Sequence, residues 1–324
     1  MLNNNKKLVV YLDPSTLNFM YMTYSERRHY PVMAKLFNLL KQGFSENLMV
    51  TPLSMEHIAP YIEENKIDRQ FLGMMAEIGQ VQFLQRFTVK MLQMIRVVNN
   101  YFGQVYKKDV WKDAFGSDPG ERFVQGFSKY QSITALNTIK ALEREKKLSQ
   151  VFDFIDMYKK GLSADDMAAD YYRYLWDKFP DVMRPYLPMD GDPDDHKEQF
   201  FAYEDIKDIP EFHLISHTLY PLFESYGIED IEYGLKDDVI IAAENVASYM
   251  PYCNFYVTYG DIAELFMMTG LNDVYSVRLY DNNESSLYQL ISHMTLALEE
   301  KRAEKSKISE KSMFQKKRPG SYFS

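Results

Sequence analysis

Residues 249–266, YMPYCNFYVTYGDIAELF, place a helix end, a buried strand and a new helix in immediate succession. Pro251 closes the preceding helix, because the residue before a proline is pushed out of the α region. Cys253 to Val257 is a short apolar and aromatic run of strand length. Gly260 and Asp261 break that run, and Ile262, Leu265 and Phe266 resume at helical spacing. A strand that passes through a polar turn into a helix is where open α/β sheets place their ligands. The turn here offers Thr258, Tyr259 and Asp261.

Near the N-terminus, Leu8 to Leu12 is an unbroken apolar run without alternation. That pattern suits a strand covered on both faces, as in a parallel sheet. The run stops at Asp13, followed by Pro14, Ser15 and Thr16. A carboxylate at the end of a buried strand needs a partner, since desolvating it alone is costly. Two readings of Asp13 stay open: it faces a ligand such as a metal ion, or it caps the helix that Pro14 begins. Leu48–Ser54, LMVTPLS, is a second apolar strand, followed by a helix over MEHIAPYIEE. Strands at Lys7–Leu12, Leu48–Pro52, Cys253–Thr258 and Tyr275–Tyr280 predict an α/β fold with a small, mostly parallel, Rossmann-like sheet.

The centre of the chain reads differently. From 68 to 187 it is helical almost throughout, with stripes such as Val81, Leu84, Phe87 and Met91 in Phe71–Tyr106, and a further helix at Ser132–Leu148. Asp109–Gly120 is a connection. Ser163 and Asp166 form a capping box that uses Asp in place of Glu. The stretch is far longer than a normal crossover. It reads as a helical insertion, 68–187, into a core made of 1–67 and 201–298. The acidic segment 188–200, within PYLPMDGDPDDHKE, reads as an exposed linker. It is not an EF-hand, because the loop position that needs Gly is Asp195 and the one that needs Glu is Phe201. Residues 299–324 read as a basic, flexible tail, with Lys301, Arg302, Lys305, Lys307, Lys311, Lys316, Lys317 and Arg318.

No apolar run reaches the roughly 18 residues that a spanning helix needs. The N-terminus has no apolar leader segment, so a cytoplasmic location is expected. The lone cysteine, Cys253, falls inside a predicted strand and reads as core. A net charge of -9 works against nonspecific nucleic-acid binding, although charge can be segregated. There is no G-x-S-x-G elbow, no Walker A loop and no G-x-G-x-x-G fingerprint. His213 and His217 lie at a zinc-compatible spacing, but Leu214 stands where a catalytic Glu would be.

Three pieces, VVYLDPS, LMVTPLS with its helix, and SYMPYCNFYVTYGD, together resemble the PIN-like nuclease superfamily. That resemblance implies a metal-dependent endonuclease acting on RNA or single-stranded nucleic acid, with a toxin or defence role as one biological setting. Such a site clusters Asp and Glu around Mg²⁺ or Mn²⁺, which acidifies the attacking water and stabilises the leaving oxygen. Carried onto this chain, the metal set is Asp13, Asp261 and Asp238 (or Asp237), with Glu244 and Glu56 (or Glu63) completing the catalytic cluster. The chain departs from the pattern at Asn254 and Tyr259, where the family carries acids, and at Ala59 and Pro60 in the second motif. The alternative implied by those departures is a catalytically inactive PIN-like scaffold. It would act through protein partners, or a second copy, on its helical insertion.

Overall fold

All residues of β1 (Leu8–Tyr11) are buried, and their side chains divide between two apolar cores. Leu8, Val10 and the following Leu12 enter one core, while Val9 and Tyr11 enter the other. Successive strand side chains point to opposite faces, so a strand covered on both sides must be apolar at every position. This computed structural model of the chain describes residues 7–64, 66–79, 86–103, 154–202, 207, 209–226 and 244–316.

After β1 come α1 (Pro14–Tyr24), α2 (Pro31–Ser45), β2 (Met49–Val50) and α3 (Met55–Ile58). A short hairpin of β3 (Ile62–Glu63) and β4 (Lys66–Ile67) leads to α4 (Arg69–Ile78) and α5 (Arg86–Tyr101). Then follow α6 (Phe154–Lys159), α7 (Ala164–Lys178), α8 (Pro180–Met183), α9 (Pro193–Phe201) and α10 (Pro210–Tyr226). Residues 244–249 are helical. The chain then forms β5 (Phe255–Thr258), α11 (Gly260–Met268), α12 (Leu271–Val274), β6 (Arg278–Asp281) and the long α13 (Glu284–Lys316).

The main sheet has the order β2-β1-β5-β6, and every pair is parallel. The fold is a small parallel sheet flanked by helices, as expected of an α/β chain. Its four strands arise from the four segments that the sequence nominates. The last begins later than expected, at Arg278, because Leu271–Val274 take a helical turn and Ser276 turns in the left-handed region at φ 55°. From β1 the chain adds β2 on one side and later returns to add β5 on the other. The direction of winding therefore reverses between β1 and β5, which is where a doubly wound sheet opens a crevice at its carboxyl end.

Two helical layers enclose the sheet, as two apolar faces require. One contains α1, α2, α4 and α13, with Leu287, Leu290, Met294 and Leu298 of α13 forming a single stripe. The other contains α5, α7, α10, α11 and residues 246–250. Helices from the stretch 68–187 thus cover both faces: α4 lies in the first layer, α5 and α7 in the second. Close approach matters here. A Cβ on Gly79, just after α4, would stand 2.6 Å from the carbonyl oxygen of Thr51, so α4 can end against the β2 strand only with glycine there.

Several local expectations change. The second-motif helix stops at Ile58, and a single 3-10 turn over Ala59–Tyr61 leads into β3. Pro60 cannot donate to an α-helical ladder, which limits the helix there. The acidic linker is partly helical: Asp192 accepts from Asp194 N at 2.9 Å, Pro193 occupies the first helical position, and Phe200 of α9 is fully buried. The expected flexible tail is instead helical through Lys316. It is tied down where Arg302 forks onto Glu46 with two contacts of 2.6 Å and Lys305 donates to the Glu46 carbonyl at 2.9 Å. Those cations sit at the C-terminus of α2, where they complement its free carbonyls. Half of the Ser163 box forms: Asp166 N donates to Ser163 Oγ at 3.1 Å, while the Asp166 carboxylate accepts from the Ser163 hydroxyl at 2.6 Å. The expectations for Asp109–Gly120 and Ser132–Leu148 lie outside the described residues. Among the described residues, no helix is long and apolar enough to cross a membrane.

Candidate functional site at the carboxyl end of the sheet

Asp13 stands two residues beyond β1 and is the N-cap of α1. Its Oδ2 accepts from Ser15 N at 3.2 Å and from the Ser15 hydroxyl. Its Oδ1 accepts from Thr16 N at 3.3 Å and from the Thr16 hydroxyl. A carboxylate has room for about four donors, and these local groups supply them all. Asn282 Nδ2 donates to Ser15 Oγ at 3.0 Å, which links the end of β6 to this cap.

Beside it, His57 is buried and acts as a strut. Ser54 N donates to Nδ1 at 2.8 Å, so Nδ1 is the acceptor and the Nε2 proton points at the Leu12 carbonyl, 2.6 Å away. Burial holds the imidazole below its ordinary pKa, against the opposing pull of the Leu12 carbonyl and the Glu56 and Asp13 charges. The Tyr11 ring lies 5.0 Å from His57 and stacks on Tyr256 at 4.3 Å. Burial, and then the charge on Glu56, push the Tyr11 phenol far up.

The second group of acids is built around α5. Arg86, Lys90 and Gln93 are spaced four and three apart, so they share one face of the helix, and all three are buried. Arg86 Nη1 meets Glu244 Oε2 at 3.0 Å, and Arg86 Nε meets Glu56 Oε1 at 3.4 Å. Lys90 Nζ contacts Glu211 Oε1 at 3.0 Å, Glu244 Oε1 at 3.5 Å and the Tyr171 hydroxyl at 3.0 Å. Gln93 accepts from Glu211 N at 3.0 Å and donates to the Tyr252 hydroxyl at 3.0 Å. Ser248 Oγ donates to Glu211 Oε1 at 3.2 Å.

Among the described residues, Glu56, Glu211 and Glu244 face Arg86 and Lys90. Burial alone would depress the Lys90 ammonium, but Glu211 and Glu244 outweigh it and hold the amine well above its usual pKa. Glu211 responds in the opposite sense: burial pushes its carboxyl up to about 7, and the attraction of Lys90 recovers only part of the shift. The Lys90 shift reflects its two carboxylate neighbours, and the Glu211 shift reflects its burial.

The predicted catalytic residues therefore fall into separate environments. Glu56 and Glu244 converge, but on a guanidinium. Asp13 is committed to its cap. Asp261 is exposed in the first turn of α11, whose N-cap is Tyr259, and it lines a different groove along β6. Glu63 lies in β3 and is exposed. Asp237 and Asp238 lie outside the described residues. No group of three His, Cys, Asp or Glu among the described residues could hold a metal ion. Comparison with protein families, with curated proteins and with solved structures finds no match to this chain.

Asn254 has a different place from the one its motif suggests. It precedes β5 at the amino end, where its Oδ1 accepts from Val9 N at 2.8 Å and its N donates to Val9 O at 2.9 Å. Four strand residues, or about 13 Å, separate Val9 from Asp13, so Asn254 pins strand register rather than lining the crevice. Cys253 is core, as expected. Sequence reasoning missed Arg86, Lys90 and Glu211. The available signal was a polar face at 86, 90 and 93 inside a helix otherwise rich in Val and Met.

Proposed function

We propose that this chain is a non-nucleolytic binding module built on a PIN-like framework, whose acids have become structural. The observation that carries this reading is the commitment of its carboxylates: Asp13 is filled by local donors, and Glu244 is held by Arg86 and Lys90. A guanidinium and an ammonium stand between Glu56, Glu211 and Glu244, where a divalent cation would be repelled. The described donor set does not fit Mg²⁺ or Mn²⁺, so no hydrolytic step is derived. The competing reading is a metal-dependent endonuclease on RNA or single-stranded nucleic acid. It draws on the position of Asp13 beside the β1/β5 reversal.

One experiment separates them. The full chain is incubated with labelled RNA and single-stranded DNA in Mg²⁺ or Mn²⁺, beside Asp13→Asn and Glu244→Gln. Metal titration by calorimetry runs in parallel. The expected result is no cleavage and no saturable metal heat in any of the three proteins. Metal-dependent cleavage by the wild type that disappears in a folded variant would overturn the module reading.

A further inference from the structure

Among the described residues the sheet stops at β6, but the helices beside it overhang that edge. An open groove of about 820 Å³ runs along β6, with α11 and α12 on one wall and α13 on the other. In a parallel strand, the N–H and C=O of one residue point to the same side, and alternate residues point to opposite sides. Arg278 N donates to Asn254 O at 3.0 Å, so Arg278 and Tyr280 face β5. Leu279 and Asp281 therefore turn their backbone groups towards the groove, and no strand among the described residues pairs with them. The slot has the form of a missing outer strand, walled by helices on both faces.

The lining says what would fill it. Asp261, Glu264, Asp273 and Asp281 stand against Arg278 and His293. Arg278 folds back over the Phe255 ring, 5.8 Å from its centre, and His293 Nδ1 is engaged by the Tyr280 hydroxyl at 2.7 Å. The wall also exposes apolar surface at Met267, which is 49% accessible. We propose that β6 accepts an extended, Lys- or Arg-bearing segment of a partner protein, which adds to the sheet as a further strand. The backbone edge supplies hydrogen bonds, the acids select the positive charge, and Met267 receives an aliphatic stem. Pairing β6 with β6 of a second copy is disfavoured, because it would bring two acid-rich groove linings together. This inference rests on the binding-module reading, yet it fails separately: a chain that cuts nothing and ignores such a peptide sinks only the present proposal.

The test uses the full chain and two fluorescent peptides of about eight residues, one alternating Val and Lys, the other Val and Glu. Anisotropy titrations give the affinities, and hydrogen exchange follows the Leu279 and Asp281 amides. The double variant Glu264→Lys/Asp273→Lys changes only exposed side chains and should fold. The Val/Lys peptide is expected to bind saturably, to slow exchange at both amides, and to bind about tenfold or more weakly to the double variant. Absence of saturable Val/Lys binding, equal binding of the Val/Glu peptide, unchanged exchange at the two amides, or an unchanged affinity in the double variant would each overturn the proposal.

Discussion

Asp13 holds the first turn of α1 with both oxygens, so its removal frees two backbone N–H groups and two hydroxyls together. Loss of an N-cap costs about 0.5–2 kcal/mol, and burial of this cap places it towards the upper end. Asp13→Ala is therefore expected to lower the unfolding free energy by about 2 kcal/mol in a urea titration. Asp13→Asn, which keeps one acceptor oxygen, should lose less. Equal losses in the two variants would mean that charge, not acceptor geometry, is what the cap needs. The sequence left this residue between two meanings because a capping aspartate and a metal-facing aspartate share the same local signature. Only the rotamer separates them, and the neighbouring Ser15 and Thr16 hydroxyls turn it inward.

Helix α5 works as a tie-bar. Through Arg86, Lys90 and Gln93 it reaches α3, α7, α10 and the helical residues 244–249. Removing one partner of a buried ion pair leaves an uncompensated charge, which costs about 3–5 kcal/mol. Lys90→Met should show a loss of that size. Adding Glu211→Gln should recover part of it, because one stranded carboxylate disappears. A thermodynamic cycle of the two single variants and the double would read the coupling directly. Strict additivity would mean that Lys90 and Glu211 do not interact in the folded protein. The element itself was visible as a helical stripe, but its polar face has no local meaning. The sequence records that Arg86, Lys90 and Gln93 share a side of a helix, and says nothing of what faces them.

Across the molecule, the burial of Glu211 makes stability depend on pH. The Glu211 carboxyl rises from 4.5 to about 7 on folding. Between those values the folded chain binds more protons at this site than the unfolded chain does. The stability contributed is therefore fully present below pH 4.5 and is lost as pH rises through about 7. A shift of this size corresponds to about 3 kcal/mol. His57 acts in the opposite direction: its folded pKa is depressed, so its contribution is present above about 6.5 and falls as pH drops below that value. The two are separated by comparing wild type with Glu211→Gln. The difference in unfolding free energy should change across pH 4.5–7 and stay level above it. A level difference over the whole range would show that Glu211 is not the group that titrates.

The sequence alone determined the elements whose cause is local. Leu8 to Leu12 has to be covered on both faces because it has no polar side. Pro251 has to end an α-helix, a strand has to follow within Cys253–Thr258, where it forms at Phe255–Thr258, and Ser163 has to start a helix over Asp166. These signals fit within a few residues, where backbone sterics and side-chain period decide the outcome. Tertiary structure alone decided the strand order, the place of β6 at the edge of the described sheet, and the fate of the acids. Arg86 and Glu244 stand 158 positions apart, and Lys90 and Glu244 stand 154 apart. A carboxylate in a sequence carries no mark of its partner. Whether it meets a metal ion, a guanidinium or the N–H groups of its own helix depends on which distant faces the packed layers bring together.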